Sequence, residues 1–219
     1  MRIGANYLGN GECEFTVWSP VLDSVTVQIL TPEQQLIPLK PQSEGYWHTK
    51  VNDVYPGTLY RYVLNGQDTF ADPASQYQPE GVHGPSQIVD HHFEWTDEAW
   101  AGIPVESMIF YELHVGTFTP EGTFTAIIPR LPELRELGIN AIEIMPISQF
   151  PGDSHIEAAL TYRNWGYDGV YPFAVQNSYD SPAELKQLVN ACHQNNIAVV
   201  LDVVYNHFGP EGNYMRAKR

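Results

Sequence analysis

Apolar and polar positions follow two different periods along the chain, and the change falls near residue 108. Before it, CEFTVWSP, SVTVQIL and LYRYVLNG alternate with a partial period of two and are rich in Val, Tyr, Phe and Thr. Turn formers separate them at Gly9-Asn10-Gly11, Ser19-Pro20, Pro56-Gly57 and Asn65-Gly66. Successive side chains of a strand point to opposite faces, so this period marks strands with one covered face. Several such strands predict a small β-sandwich of immunoglobulin-like type over 1–90. ADPASQYQPEGVHGPSQIVD and EWTDEAWAGIPVES, within 71–107, are rich in Pro, Gly and Ser and read as a linker with aromatic anchors. The boundary between units is expected at 91–107.

After residue 108 the apolar runs become continuous. MIFYELHV predicts a buried strand, FTAIIPRLPELRELG a helix closed by Gly138, and INAIEIMPI a second buried strand. SPAELKQLVNACHQNN predicts a helix with Ser181 at the N-cap, Pro182 at N1 and Glu184 completing a capping box. IAVVLDVVYNH predicts a third buried strand. Strand and helix alternating in this way make parallel βαβ units. The fold class is therefore a β-sandwich followed by α/β. A (β/α)₈ barrel takes about 250 residues, and 108–219 supplies three β/α units, so a barrel cut short is expected.

Charge and cysteine content narrow the partners. The formal net charge of −15 repels phosphate and speaks against nucleic acid and anionic membrane. Cys13 and Cys192 are the two cysteines, too few for a disulfide framework, so a reduced, cytoplasmic setting is expected. MRIGANYLGNGECEF has no apolar core of a signal peptide, and no run of about 18 apolar residues is present to span a membrane.

Chemistry in α/β folds collects at the C-terminal ends of the strands. Those ends hold Glu112, His114 and Thr117, then Met145-Pro146, then Asp202, Tyr205, Asn206 and His207. Asp202, inside a Val and Leu run, is either a structural carboxylate or a ligand for a substrate hydroxyl or metal. His207 is either a loop histidine or a donor to a neutral polar ligand. The segment YRNWGYDGVYPF in the long loop 148–180 mixes rings with Asp, Asn and Arg, a surface suited to sugars, though Trp165 serves equally as packing. In the sandwich, Trp18 and Trp47 are the candidate exposed rings, with a core position favoured for Trp18. GNGECEF lacks the Lys-Ser/Thr of a phosphate loop, His91-His92 stands alone, and neither zinc spacing nor a nucleophile elbow is present. No metal and no cofactor is predicted.

DVVYNH, Asp202–His207, is similar to the first signature of glycoside hydrolase family 13, the α-amylase family. IFYELHVGTFTPEGTF, WGYDGVYPFAVQNSY and NHFGPEGNY resemble its trehalohydrolase branch, and FTVWSP resembles the starch-associated sandwich that precedes the barrel there and in branching and debranching enzymes. The resemblance implies a sandwich plus a (β/α)₈ barrel acting on malto-oligosyltrehalose or another α-glucan. It implies hydrolysis of the α-1,4 bond next to the terminal trehalose, as in trehalose biosynthesis. It implies a retaining mechanism, with an aspartate nucleophile after strand four, a glutamate acid/base after strand five and an aspartate stabiliser after strand seven. By the same resemblance, His207 and Tyr167 contact the sugar in the −1 subsite and Asp202 braces it, with Asn206, Asp168 and Trp165 as structural neighbours. The nucleophile and acid/base have no counterpart in this sequence, so no catalytic residue is expected and the chain reads as a catalytically incomplete N-terminal fragment. Two departures stand out: the basic tail MRAKR, and GDSHIEAALTYRNWGYDG, which is longer than the family's passage near 155–162. The alternatives are a non-catalytic glucan-binding module, a fragment of a branching or debranching enzyme, and a fragment completed by a second chain.

Overall fold

The computed structural model of the chain describes residues 2–152 and 164–216. The longer passage at 155–162 and the end of the basic tail lie outside the described residues. The first strands are β1 (Gly4–Gly9), β2 (Glu12–Trp18), β3 (Val25–Ile29), β4 (Gln35–Pro38), β5 (Lys40–Pro41), β6 (Tyr46–Val51), β7 (Leu59–Leu64), β8 (Asp68–Phe70) and β9 (Ser86–Gln87). One sheet runs β1-β2-β6-β5 and the other β4-β3-β7-β8, with β9 on β7. They face each other as the predicted sandwich.

Alternation decides what goes inside. Cys13, Phe15 and Val17 of β2 point inward, as do Val25, Val27 and Ile29 of β3 and Tyr60 and Tyr62 of β7. Phe15 meets Tyr60 edge-on, with ring centroids 5.1 Å apart. Trp47 is buried and donates its indole N–H to the Ser19 carbonyl at 2.9 Å. Trp18 overturns the expectation of a core position. It follows inward-facing Val17, so the pleat turns it to the opposite face, where it is 58% exposed.

The Pro-rich stretch after β8 also differs from a linker. Asp72, Ser75, Gln78 and Ser86 are fully buried there. Tyr60 Oη donates to Asp72 Oδ2 at 2.8 Å, and the Ala74 N–H donates to Oδ1 at 2.8 Å. The Asp72 N–H donates to Ser86 Oγ, and the hydroxyls of Ser86 and Ser75 both donate to Gln78 Oε1. Without strand partners, a buried backbone needs such a network. Further on, residues 91–100 strap onto a helix of the second unit through Thr96–Asn190 hydrogen bonds and a Trp100–His193 stack at 4.6 Å.

The second unit contains β10 (Phe110–Leu113), α1 (Val115–Phe118), α2 (Phe124–Ile127), α3 (Leu131–Glu136) and β11 (Ala141–Ile144). It continues with β12 (Ser148–Gln149), β13 (Tyr171–Val175), α4 (Pro182–Gln194) and β14 (Ala198–Leu201). β10, β11 and β14 form a parallel sheet in that order, the first three strands of the barrel type. α4 has the predicted capping box, with Ser181 and Glu184 satisfying each other's ends. Hydrogen bonds from Ser181 hold the Glu184 carboxyl below its ordinary range.

Four expectations are corrected here. The helix predicted after β10 is broken into α2, a 3₁₀ turn at Ile128–Arg130 and α3, because Pro129 and Pro132 offer no N–H to continue it. The loop 148–180 contains the antiparallel pair β12–β13. The first strand is not buried: Ile109 and Phe110 are 54% and 45% exposed. The third strand ends at Leu201, also exposed, and Asp202 is half-buried. β10 and β14 are the outer strands of the sheet, and no described element covers these side chains.

Burial raises the Asp72 carboxyl to about 6, partly opposed by the Ala74 N–H and the Tyr60 hydroxyl. An unfolded aspartate titrates near 3.9, so the fold favours protonated Asp72. Its contribution to stability is present below pH ~4 and lost as pH rises to about 6, on the order of 3 kcal/mol in all. Asp72→Asn removes that titration. The melting temperature of the variant relative to the natural chain should therefore climb between pH 4 and 6 and level off above. A difference that stays flat across this window would show that Asp72 does not titrate there.

Candidate functional site

The parallel register is even: Leu113, Ile144 and Leu201 stand abreast across the sheet. The next residues, His114, Met145 and Asp202, therefore leave the sheet at one end. The loop 164–169 crosses that end and is held by a residue from each strand terminus.

From β10, His114 is buried and reaches three groups. Its Nε2 lies 2.9 Å from the Asn164 carbonyl and 2.8 Å from Tyr179 Oη, and its Nδ1 lies 3.2 Å from Thr117 Oγ1. A carbonyl can only accept, so Nε2 carries the proton and Nδ1 accepts from the threonine. Trp165 tilts over the His114 ring at 5.7 Å, with more than half its surface in solvent. Burial pushes the Tyr179 hydroxyl far above its ordinary range, so it stays protonated.

From β11, Pro146 meets Gly166. A Cβ on Gly166 would clash with the Pro146 carbonyl oxygen, and its φ of +87° is open to few other residues. Asn164 fixes the turn from within: Oδ1 accepts from the N–H groups of Gly166 and Tyr167 at 3.1 and 3.0 Å. Sequence reasoning missed Asn164 as an organiser. Its signal, an asparagine two residues before a glycine, is that of an Asx turn.

From the segment after β14, His207 closes the other side. Its Nε2 donates to Asp168 Oδ1 at 3.1 Å, and its Nδ1 lies 2.8 Å from Asn206 Oδ1. The Gly209 N–H donates to the Gly169 carbonyl at 3.1 Å, and a Cβ on Gly209 would meet Asp168. The side chains of His207 and Asp168 are each about half exposed, so the pair is worth at most about 1 kcal/mol. Its effect is to aim the imidazole.

Beside these groups lies a cleft of about 250 Å³ lined by Pro146, Ser148, Gly166, Gly169, Tyr205 and His207. Thus His207, Asp168 and Asn206 meet, and Trp165 joins them through His114 and the loop. Tyr167 stands on the same loop with 66% of its surface exposed. Asp202 is anchored by its N–H to the Ile144 carbonyl at 2.9 Å, while its carboxylate has no hydrogen bond among the described residues. Glu112 is exposed on β10 and joins no cluster. Among the described residues no group of three or more His, Cys, Asp or Glu could hold a metal.

Residues 72–219 match the family model of the alpha amylase catalytic domain. The chain belongs to the α-amylase family. Residues 2–79 match carbohydrate-binding module 48, the isoamylase N-terminal domain. Among curated proteins, the chain is 48% identical over 201 residues to the malto-oligosyltrehalose trehalohydrolase of Saccharolobus solfataricus, covering 92% of this chain and 34% of that protein. It is 42% identical to the enzyme of that name from Deinococcus radiodurans, covering 98% and 34%. The chain thus spans about a third of the length of the curated relatives it matches. A crystal structure of a candidate alpha amylase from Salmonella typhimurium superposes with a TM-score of 0.87 at 40% identity, covering 97% of this chain and 35% of that one. The catalytic module of the glycogen-degrading pneumococcal virulence factor SpuA shares the fold, with a TM-score of 0.81 at 22% identity over 100% of this chain and 39% of that one.

In this α-amylase-family chain, the loop 164–169 depends on the contact at Gly166. Gly166→Ala adds a Cβ against backbone and forces a strained φ, which together cost about 2–3 kcal/mol. Hydrogen exchange should then rise at 164–169 and 207–209 while β11 stays protected. Unchanged exchange in those segments would mean that the Pro146 contact does not hold the loop.

Proposed function

We propose that the chain provides the sugar-binding side of a trehalohydrolase-type glycosidase, which cleaves the α-1,4 bond next to a terminal trehalose unit and releases trehalose. The observation that carries this reading is the likeness to malto-oligosyltrehalose trehalohydrolases along nearly the whole chain. The cleft supports it chemically. A glucan is neutral and presents hydroxyls and apolar C–H faces. His207, held by Asp168, offers a fixed polar group for a hydroxyl, and exposed Tyr167 offers a ring for a sugar face. Asp202, which follows β14, takes the bracing position that the likeness assigns to it. Both cysteines are buried and unpaired, and burial raises each thiol to about 12, in keeping with a reduced, cytoplasmic compartment. No helix among the described residues is long and apolar enough to cross a membrane.

Hydrolysis is a separate step. A retaining glycosidase needs two carboxyl groups about 5–5.5 Å apart, one to attack and one to protonate the leaving oxygen. In the proposed reading neither Asp168 nor Asp202 is one of them: Asp168 is committed to His207, and Asp202 matches a bracing position. The chain therefore binds malto-oligosyltrehalose without cleaving it. Titration calorimetry should detect binding that falls about tenfold in His207→Ala, the scale of one lost hydrogen bond to a ligand. Trehalose release assayed on the same preparation should stay at background. Release of trehalose that tracks the purified chain would overturn the division between binding and catalysis.

A further inference from the structure

The segment after β14 carries His207 and reaches Tyr214 without a strand or helix of its own. With no ladder to place it, its position depends on side chains and on close approaches of backbone. The Gly209 N–H on the Gly169 carbonyl ties it to the loop 164–169. A second tie lies further on and reaches the stretch that joins the two units. His83 Nδ1 lies 2.6 Å from Tyr214 Oη, and its Nε2 lies 3.3 Å from Glu211 Oε1. A carboxylate only accepts, so Nε2 carries a proton, and Nδ1 of the neutral ring accepts from the Tyr214 hydroxyl.

Packing holds the same place. Tyr171 Oη donates to the Val82 carbonyl at 3.0 Å and lies 3.5 Å from the Gly212 carbonyl. Burial pushes this hydroxyl far above its ordinary range, so it stays a donor. A Cβ on Gly212 would clash with Val82. Tyr214 packs on Phe70 of β8, with ring centroids 5.1 Å apart. His83 is itself fixed from the sandwich, because Arg61 Nη2 of β7 donates to its carbonyl at 3.2 Å. Contacts thus run from β7 through His83 to the segment of His207. The side chains of His83 and Glu211 are each more than half exposed, so their pair adds little to stability. Its larger effect is on where the segment stands.

We propose that His83 is a positioning residue for the His207 cleft. Held from the sandwich by Arg61, it grips Glu211 and Tyr214 and so sets where His207 stands. Ligand affinity at His207 then depends on a contact made outside the cleft, from the stretch between the units. This rests on the reading of the His207 cleft as a sugar site.

The test pairs two measurements on the whole chain: affinity for maltotriosyltrehalose by titration calorimetry, and hydrogen exchange of residues 207–214 without sugar. His83→Ala should lower the affinity about three- to tenfold, the scale of one lost hydrogen bond, and raise exchange at 207–214. The melting temperature should stay nearly unchanged. His83→Gln should restore most of both, since its amide can donate to Glu211 and accept from Tyr214. If His83→Ala fails to fold, Tyr214→Phe, which removes only the hydroxyl, gives the same two readouts. Unchanged affinity in the folded variants overturns the proposal and leaves the His207 site standing. A fall in affinity with unchanged exchange also overturns it, since His83 would then act on the sugar and not on the segment. A fall that His83→Gln does not restore overturns it as well, because packing of the ring would be the cause. If the natural chain binds no maltotriosyltrehalose, the sugar reading falls and the role in binding with it, while exchange in His83→Ala still decides whether His83 holds the segment.

Discussion

The even register of a three-stranded parallel sheet is the constraint on which the site depends. Parallel strands joined by right-handed crossovers all end on the same side, so Leu113, Ile144 and Leu201 finish abreast. Every polar group that follows them is delivered to one edge of the fold. A slip of one residue in any ladder would turn His114 or Asp202 to the other face. The loop 164–169 is built on that alignment. It belongs to none of the three strands, but each supplies it with a contact.

Those contacts differ in kind. His114 is buried and saturated, with the Asn164 carbonyl, Tyr179 and Thr117 sharing its two nitrogens. His207 is half exposed, with Nε2 at Asp168 and Nδ1 at Asn206. One histidine holds the loop, and the other uses the held loop to orient itself. The junction with the sandwich follows the same division. A buried polar knot around Asp72 fixes the chain between the units, while the surface beside it leaves Trp18, Phe173 and Phe208 open to solvent.

The sandwich, the capping box of α4 and the parallel sheet of β10, β11 and β14 were all legible in the sequence, because each follows from local spacing. Gly138 also ends α3 as expected, at a φ of +88°. What was misread depends on neighbours. Trp18 looked like core because it sits in an apolar run, but its facing depends on which residue of the run turns inward. The Pro-rich stretch 71–90 looked like linker because it lacks periodicity. Its burial comes from side chains of Asp72, Ser75, Gln78 and Ser86 that meet across 14 residues of irregular backbone.

The sequence by itself determined the family signature, the two-unit order and the residue types at the strand ends. These are written in contiguous segments, where local propensity and motif spacing suffice. Only the tertiary structure decided which of those residues meet. His207 finds Asp168 across 39 positions, and His114 finds Asn164 across 50. Such pairings are set by strand register and by where glycines allow two backbones to touch, as Gly166 does at Pro146.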